Sequence, residues 1–246
     1  MKQASENWAD EAFVIATGNA GKRREFEVLL KGWLEEDWQV FDRSSFPEAL
    51  VEVEESGDSY VENGIKKAME TAQATGCCAL ADDSGLEVDA LNGAPGVWSA
   101  RYAGEDASDQ ENNRKLMEAM EGVEQKRRGA KFVAALCLAL PDNRVARQLL
   151  ARRGVVLNEV EPGAPRRQGE LVRVGDMVVV WFQGVVQGRI LKRSQGDGGF
   201  GYDPYFWVPE LGKSMAEATK AEKNRLSHRA MAVQSLRETF TKQSDP

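Results

Sequence analysis

Thr17-Gly18-Asn19-Ala20-Gly21-Lys22 follows a short apolar run, Phe13–Ala16, and precedes apolar residues at helical spacing, Phe26, Leu29, Leu30 and Trp33. Strand, glycine-bearing turn and helix start, in that order, turn backbone N–H groups and the positive end of a helix toward an anion. Lys22 and Arg23 add full charge. The same residues also suit an ordinary strand-to-helix turn. They are not a Walker A loop, which needs four residues between glycine and Gly-Lys and then Ser or Thr; only Asn19 and Ala20 separate Gly18 from Gly21, and Arg23 follows the lysine.

Carboxylates form a second group. Glu52, Glu54 and Glu55 share one loop, Glu62 opens a predicted helix, and Asp82-Asp83-Ser84-Gly85 follows the predicted strand Cys77–Ala81. Acidic side chains from separate elements are what a hard cation such as Mg²⁺ requires, and a carboxylate beside it can orient and deprotonate a water. Acidic loops are usually only solvated. Asp82-Asp83 says more, because adjacent carboxylates at a strand end repel unless something cationic lies between them.

Two further groups could recognise a flat ligand. Gly198-Gly199-Phe200-Gly201-Tyr202-Asp203-Pro204 flanks an aromatic ring with glycines, which lets backbone approach closely while the ring stacks. Lys223-Asn224-Arg225-Leu226-Ser227-His228-Arg229 places Arg225 and Arg229 four apart, on one face if the helix is continuous. Ser227 has the side chain of an N-cap for a last helix whose apolar residues include Ala232, Val233, Leu236 and Phe240.

These residues need elements to hold them. Strands are predicted at Phe13–Ala16, Trp38–Phe41, Cys77–Ala81, Lys131–Leu140 and Met177–Phe182. Helices are predicted at Arg23–Leu34, Ser59–Thr75 (stopped by Gly76), Asn112–Met120 and through most of Ala216–Phe240. Strands and helices alternate early and strands dominate later, so the class is α/β with a mixed sheet. Residues 142–175 stand apart, with seven arginines from Arg144 to Arg173 and with Pro162 and Pro165. They read as a surface insertion that lacks the apolar period of a core element, with Val145–Leu150 as a short helix; the arginines could also meet an anionic partner or another subunit.

Composition narrows the function. Thirty-two basic against 39 acidic residues leave a formal charge of −7, the wrong sign for sequence-independent nucleic-acid binding. Apolar runs such as Val133–Leu140 are too short to cross a bilayer, and Met1–Ala12 lacks the pattern of a signal peptide. Cys77, Cys78 and Cys137, with His228 as the sole histidine, cannot build the usual zinc site and read as reduced thiols of a cytoplasmic protein.

The order of the motifs is more specific than any one of them. TGNAGK, then Glu62-Asn63…Lys67-Ala68, ADDSGLEVDAL (81–91), GAPGVWSARYAGEDASDQENNRKL (93–116), GGFGYDPYF (198–206) and KNRLSHR (223–229) resemble the inosine triphosphate pyrophosphatase family, the XTP/dITP diphosphatases, over about residues 13–240. The resemblance implies Mg²⁺-dependent hydrolysis of dITP, ITP and XTP to monophosphate and pyrophosphate by a homodimer. It implies one two-lobed domain, an elongated mixed sheet with flanking helices and a central cleft. By resemblance, Thr17, Gly18, Asn19, Ala20, Gly21, Lys22 and Lys67 hold the triphosphate, and Asp83 is general base and metal ligand. Glu54 or Glu55 is the second acidic ligand, Ser84 contacts substrate, and Phe200, Gly201, Tyr202, Asp203, Lys223, His228 and Arg229 surround the base. Departures are Gly64 where the family has alanine, Lys192–Gly196 in place of Pro-Arg-Gly, and residues 142–175, read as some thirty residues longer than usual. A pyrophosphatase for other modified nucleotides and a non-catalytic nucleotide-binding regulator are the alternatives.

Overall fold

The computed structural model describes residues 8–46 and 57–241. Its strands are β1 (Ala12–Ala16), β2 (Gln39–Asp42), β3 (Cys78–Val88), β4 (Gly129–Leu140), β5 (Val172–Val174), β6 (Met177–Ile190), β7 (Phe206–Val208) and β8 (Lys213–Ser214). Its helices are α1 (Ala20–Leu29), α2 (Tyr60–Thr75), α3 (Asp109–Ala119), α4 (Arg144–Ala151), α5 (Lys220–Leu226) and α6 (His228–Phe240). The chain divides into two units, the first made of residues 1–82, 135–183 and 232–246, the second of 83–134 and 184–231.

In the first unit β1 lies between β2 and β3, parallel to both. The order continues through β4 to β6, and β5 pairs antiparallel with β6. β1 is buried along its whole length, as a central parallel strand requires. The apolar side of α1 buries Phe26 and Leu29, and Trp33 meets the rings of Phe13 and Phe240 at 6.3 and 6.4 Å. α2 begins at Ser59, whose hydroxyl accepts from Glu62 N, and ends at Gly76. Both limits agree with the predicted helix.

Residues 142–175 are only partly a surface excursion: α4 packs into the first unit, whereas most of residues 151–171 are exposed or half-buried. Asn143 caps α4 by accepting from Ala146 N, and its amide donates to Gly76 O at 2.8 Å. Val145, Ala146, Leu149 and Leu150 are fully buried. The apolar period was present but short, one helix among arginines that mask it. Those arginines serve the unit itself: Arg152 pairs with Glu35 at 2.7 Å and lies over Trp33 and Trp38. Arg144 pairs with Asp37 at 3.0 Å and Arg147 with Asp142 at 2.7 Å.

In the second unit the remaining lengths of β3, β4 and β6 are followed by β7 and β8, with β6–β7 and β7–β8 antiparallel. Its core joins Leu86, Val88, Leu116, Met120, Phe132, Ile190, Tyr202 and Phe206. Arg128 is buried there, and its guanidinium donates to the carbonyls of Met120, Val123, Ile190 and Leu191. Such carbonyl donation is how a buried guanidinium recovers what it loses on leaving water.

Candidate active site

The first unit contributes the turn after β1. Asn19 is the N-cap of α1, and its Oδ1 accepts from Gly21 N at 2.8 Å and Lys22 N at 3.0 Å. Two N–H groups expected to face an anion are therefore bonded to a side chain of the turn, because Asn at this position satisfies the open first turn of the helix. The positive group of the turn is Lys22. Its ammonium lies 2.8 Å from Asp82 Oδ2, and the Asp82 side chain is wholly excluded from solvent. An ammonium carries three donors, so Lys22 can keep Asp82 and still donate to a phosphate oxygen. Lys67 stands half-buried on α2.

Asp82 and Asp83 lie inside β3 and not at its end. Polar Asp-Asp-Ser followed by glycine reads locally as a strand terminus; hydrogen bonding to flanking strands carries β3 on to Val88. Both carboxylates are buried. Successive strand residues face opposite sides of a sheet, so the two side chains have different neighbours. Their shared peptide bond is where the chain passes from the first unit to the second.

The second unit carries Asp83, Ser84, Phe200, Gly201, Tyr202, Asp203, Lys223, His228 and Arg229. Arg229 donates from Nη2 to Ser84 Oγ at 2.7 Å, and its guanidinium lies over the Phe200 ring at 5.4 Å. The His228 ring stacks on Phe132 at 5.0 Å with a 14° interplanar angle. Lys223 Nζ lies 2.6 Å from Asp203 Oδ2, which also accepts from Phe200 N at 3.2 Å. Gly199 has φ +80, and a Cβ there would lie 2.1 Å from Asp203 Oδ2 and 2.6 Å from Lys223 Nζ. The glycine is thus required both by its backbone and by the ion pair packed against it. Tyr202 donates its buried hydroxyl to Ser99 O at 2.8 Å, and burial pushes its phenol well above the usual range.

Arg225 does not share a helix face with Arg229. α5 stops at Leu226, Ser227 takes extended backbone and accepts from Ala230 N at 3.1 Å, and α6 starts anew. Arg225 is exposed while Arg229 is buried. The serine that caps one helix necessarily interrupts the other.

Glu52, Glu54 and Glu55 lie outside the described residues. Glu62, grouped with them by charge, accepts from Asp58 N at 3.0 Å at the start of α2. Among the described residues no three His, Cys, Asp or Glu side chains come together as a metal group. Cys77, Cys78 and Cys137 are free and buried, and burial raises the Cys77 thiol to about 11. No helix of the described residues is long and apolar enough to cross a membrane.

Sequence reasoning missed two residues that touch this site. Gly201 N donates to Asp109 Oδ2 at 2.6 Å, and Asn113 Nδ2 donates to Gly201 O at 2.9 Å. Both lie inside the 93–116 motif that carried the family resemblance, but nothing in the sequence pointed to a contact with residue 201.

The Ham1 family model matches residues 13–161 and 169–239. Residues 162–168, within the arginine-rich segment, fall between its two blocks. The dITP/XTP pyrophosphatase of Vibrio parahaemolyticus is 43% identical over 223 residues, spanning 91% of this chain and 93% of that relative. The dITP/XTP pyrophosphatase of Desulforamulus reducens is 40% identical over 229 residues, 93% of this chain and 95% of that one. Among solved structures, a HAM1 protein from Coxiella burnetii superimposes with a TM-score of 0.70 at 35% identity, covering 92% of this chain and 96% of that one.

Proposed function

The chain belongs to the Ham1 family, and on that premise we propose that it is a pyrophosphatase that hydrolyses the non-standard purine triphosphates dITP, XTP and ITP to the monophosphate and pyrophosphate. The observation that carries this reading is identity above 40% over more than nine-tenths of the chain to relatives named for that activity.

The chemistry asks for charge neutralisation, an activated water and a base-edge reader. Lys22 and Lys67 supply positive charge for the triphosphate and for the pyrophosphate as it leaves. Asp83 directs a water at the α-phosphorus and takes its proton; the new P–O bond forms as the bond to the α–β bridging oxygen breaks. Buried Asp83 offers the hard oxygen that Mg²⁺ uses when it binds through one or two carboxylates plus phosphates, with Glu54 or Glu55 as the second. When bound, Mg²⁺ would supply further neutralisation of phosphate charge.

Arg229 and His228 are donors for the 6-oxo group of hypoxanthine or xanthine, with Ser84 beside Arg229. Adenine presents an amino donor there, and two opposed donors cost a few kcal/mol. Phe200 and the Lys223–Asp203 pair complete the base contacts. The enzyme acts as a homodimer in the cytoplasm, a compartment in keeping with its three free thiols.

Pyrophosphate release from dITP, XTP, dATP and dGTP, with and without Mg²⁺, tests the reading. Expected is Mg²⁺-dependent release fastest with dITP or XTP. Faster turnover of dATP and dGTP, or binding without turnover, would overturn it.

A further inference from the structure

The mechanism above uses no residue of α3, yet α3 holds the loop that is proposed to read the base. Gly201 has φ +60. Its N–H belongs to the peptide linking it to Phe200, and its carbonyl to the peptide linking it to Tyr202. Asp109 accepts from the first at 2.6 Å and Asn113 donates to the second at 2.9 Å. The two side chains are four apart on α3 and so lie on one face, a turn from each other. Their helix is itself fixed by the Ser108–Glu111 capping box, by Asn112, which bonds Ala103 N and Ala100 O, and by buried Leu116.

From this geometry we propose that Asp109 and Asn113 are positioning residues for base selection. They clamp both peptide groups of Gly201 and so set the direction of Phe200 on one side and Tyr202 on the other. A glycine at positive φ is the most permissive hinge a chain can have; left alone, it would let residues 198–203 sample several arrangements. Phe200 is the residue most affected. Its own N–H is tied to Asp203 and its ring lies against Arg229, so the three groups move together if Gly201 turns. Asp109 is the stronger grip, since a hydrogen bond to a carboxylate is worth more than one between neutral groups. Neither side chain needs to touch substrate.

This inference rests on the reading that residues 200–203 contact the base, and Phe200→Ala tests that reading separately. Steady-state kinetics on dITP and dGTP are measured for the wild type, Phe200→Ala, Asp109→Ala, Asp109→Asn and Asn113→Asp, with melting temperature for each. Tripolyphosphate, which has no base, is the competing inhibitor that probes the phosphate contacts alone. Expected for Asp109→Ala is a KM for dITP raised about tenfold, a kcat lowered less, a smaller preference for dITP over dGTP, and an unchanged inhibition constant for tripolyphosphate. Asp109→Asn, which keeps an acceptor in place, should recover most of the KM. Asn113→Asp, which removes the donor at constant size, should act like Asp109→Ala even if that variant fails to fold. If Phe200→Ala leaves KM and preference unchanged, the base-contact reading fails. If Phe200→Ala changes them but the α3 variants do not, or if the α3 variants weaken tripolyphosphate equally, the clamp is overturned.

Discussion

Lys22 and Asp82 form an ion pair of 2.8 Å in which the carboxylate is completely buried and the lysine side chain is partly buried, 17% exposed. An isolated buried carboxylate would cost several kcal/mol, so Asp82 depends on the lysine. The lysine in turn is held facing inward by Asp82, four elements away in the chain from the turn that carries it.

Removing either partner should therefore do different things. Asp82→Ala strands Lys22 in a partly buried position and should cost about 3–5 kcal/mol of stability along with activity. Lys22→Met should remove triphosphate affinity too. The coupling in a double-mutant cycle, read by denaturant unfolding, should be well above 1 kcal/mol; additive effects would show that the pair is not interacting in solution.

Asp83→Asn keeps the shape of the side chain and removes its charge. Turnover should fall by about 10²-fold or more while the melting temperature stays close to wild type, since loss of a positioned general base costs that much. Activity within a few-fold of wild type would remove Asp83 from the reaction.

Arg229→Lys should weaken dITP binding about tenfold without unfolding the protein. Lysine keeps the charge but loses the planar group that lies over Phe200 and donates to Ser84. Isothermal titration with dIMP checks it, and an unchanged Kd would place Arg229 outside the base contacts.

Gly64→Ala tests a close approach. A Cβ at Gly64 would meet Cys137 Sγ at 2.6 Å. The single substitution should destabilise by about 1–3 kcal/mol through overpacking. Combined with Cys137→Ala it should recover, helped by alanine's helix propensity of about 1 kcal/mol over glycine. Urea melts of the four proteins decide it. The neighbour that would have to give way is Cys137 on β4.

The Cys77 thiol, raised to about 11 by burial from an ordinary 9.0, predicts an alkaline limit. Because the folded pKa lies above the unfolded one, the thiol's contribution is fully present below pH 9 and is lost as pH rises toward 11. Wild-type stability should fall more steeply across that window than that of Cys77→Ala, measured by denaturant unfolding at each pH. Equal slopes would show that Cys77 ionises alike in both states.

Replacing residues 142–175 by a short turn should unfold the protein, because α4 buries four apolar side chains worth roughly 1–3 kcal/mol for each of the larger ones. Replacing only residues 164–167 with a Gly-Ser link should leave melting temperature and dITP turnover near wild type. A folded, active protein without α4 would contradict the packing described for it.

Much of this molecule was legible locally. β1, α2 and its limits at Ser59 and Gly76, and the cap at Ser227 follow from side-chain periodicity and from short-range hydrogen bonds that a residue makes with its own neighbours. The motif order was enough to point to the family and its chemistry. What the sequence could not decide depended on distant partners. β3 runs on through Asp82 and Asp83 because flanking strands bond its backbone, not because Asp and Ser favour a strand. α4 is core because the surface formed by Trp33, Trp38 and Glu35 is there to receive it. Asp109 and Asn113 gain a role only when Gly201, some ninety residues away, is brought against them. Local propensity acts over a turn of helix or a pair of strand residues, whereas burial and pairing across such separations exist only once the chain has closed on itself.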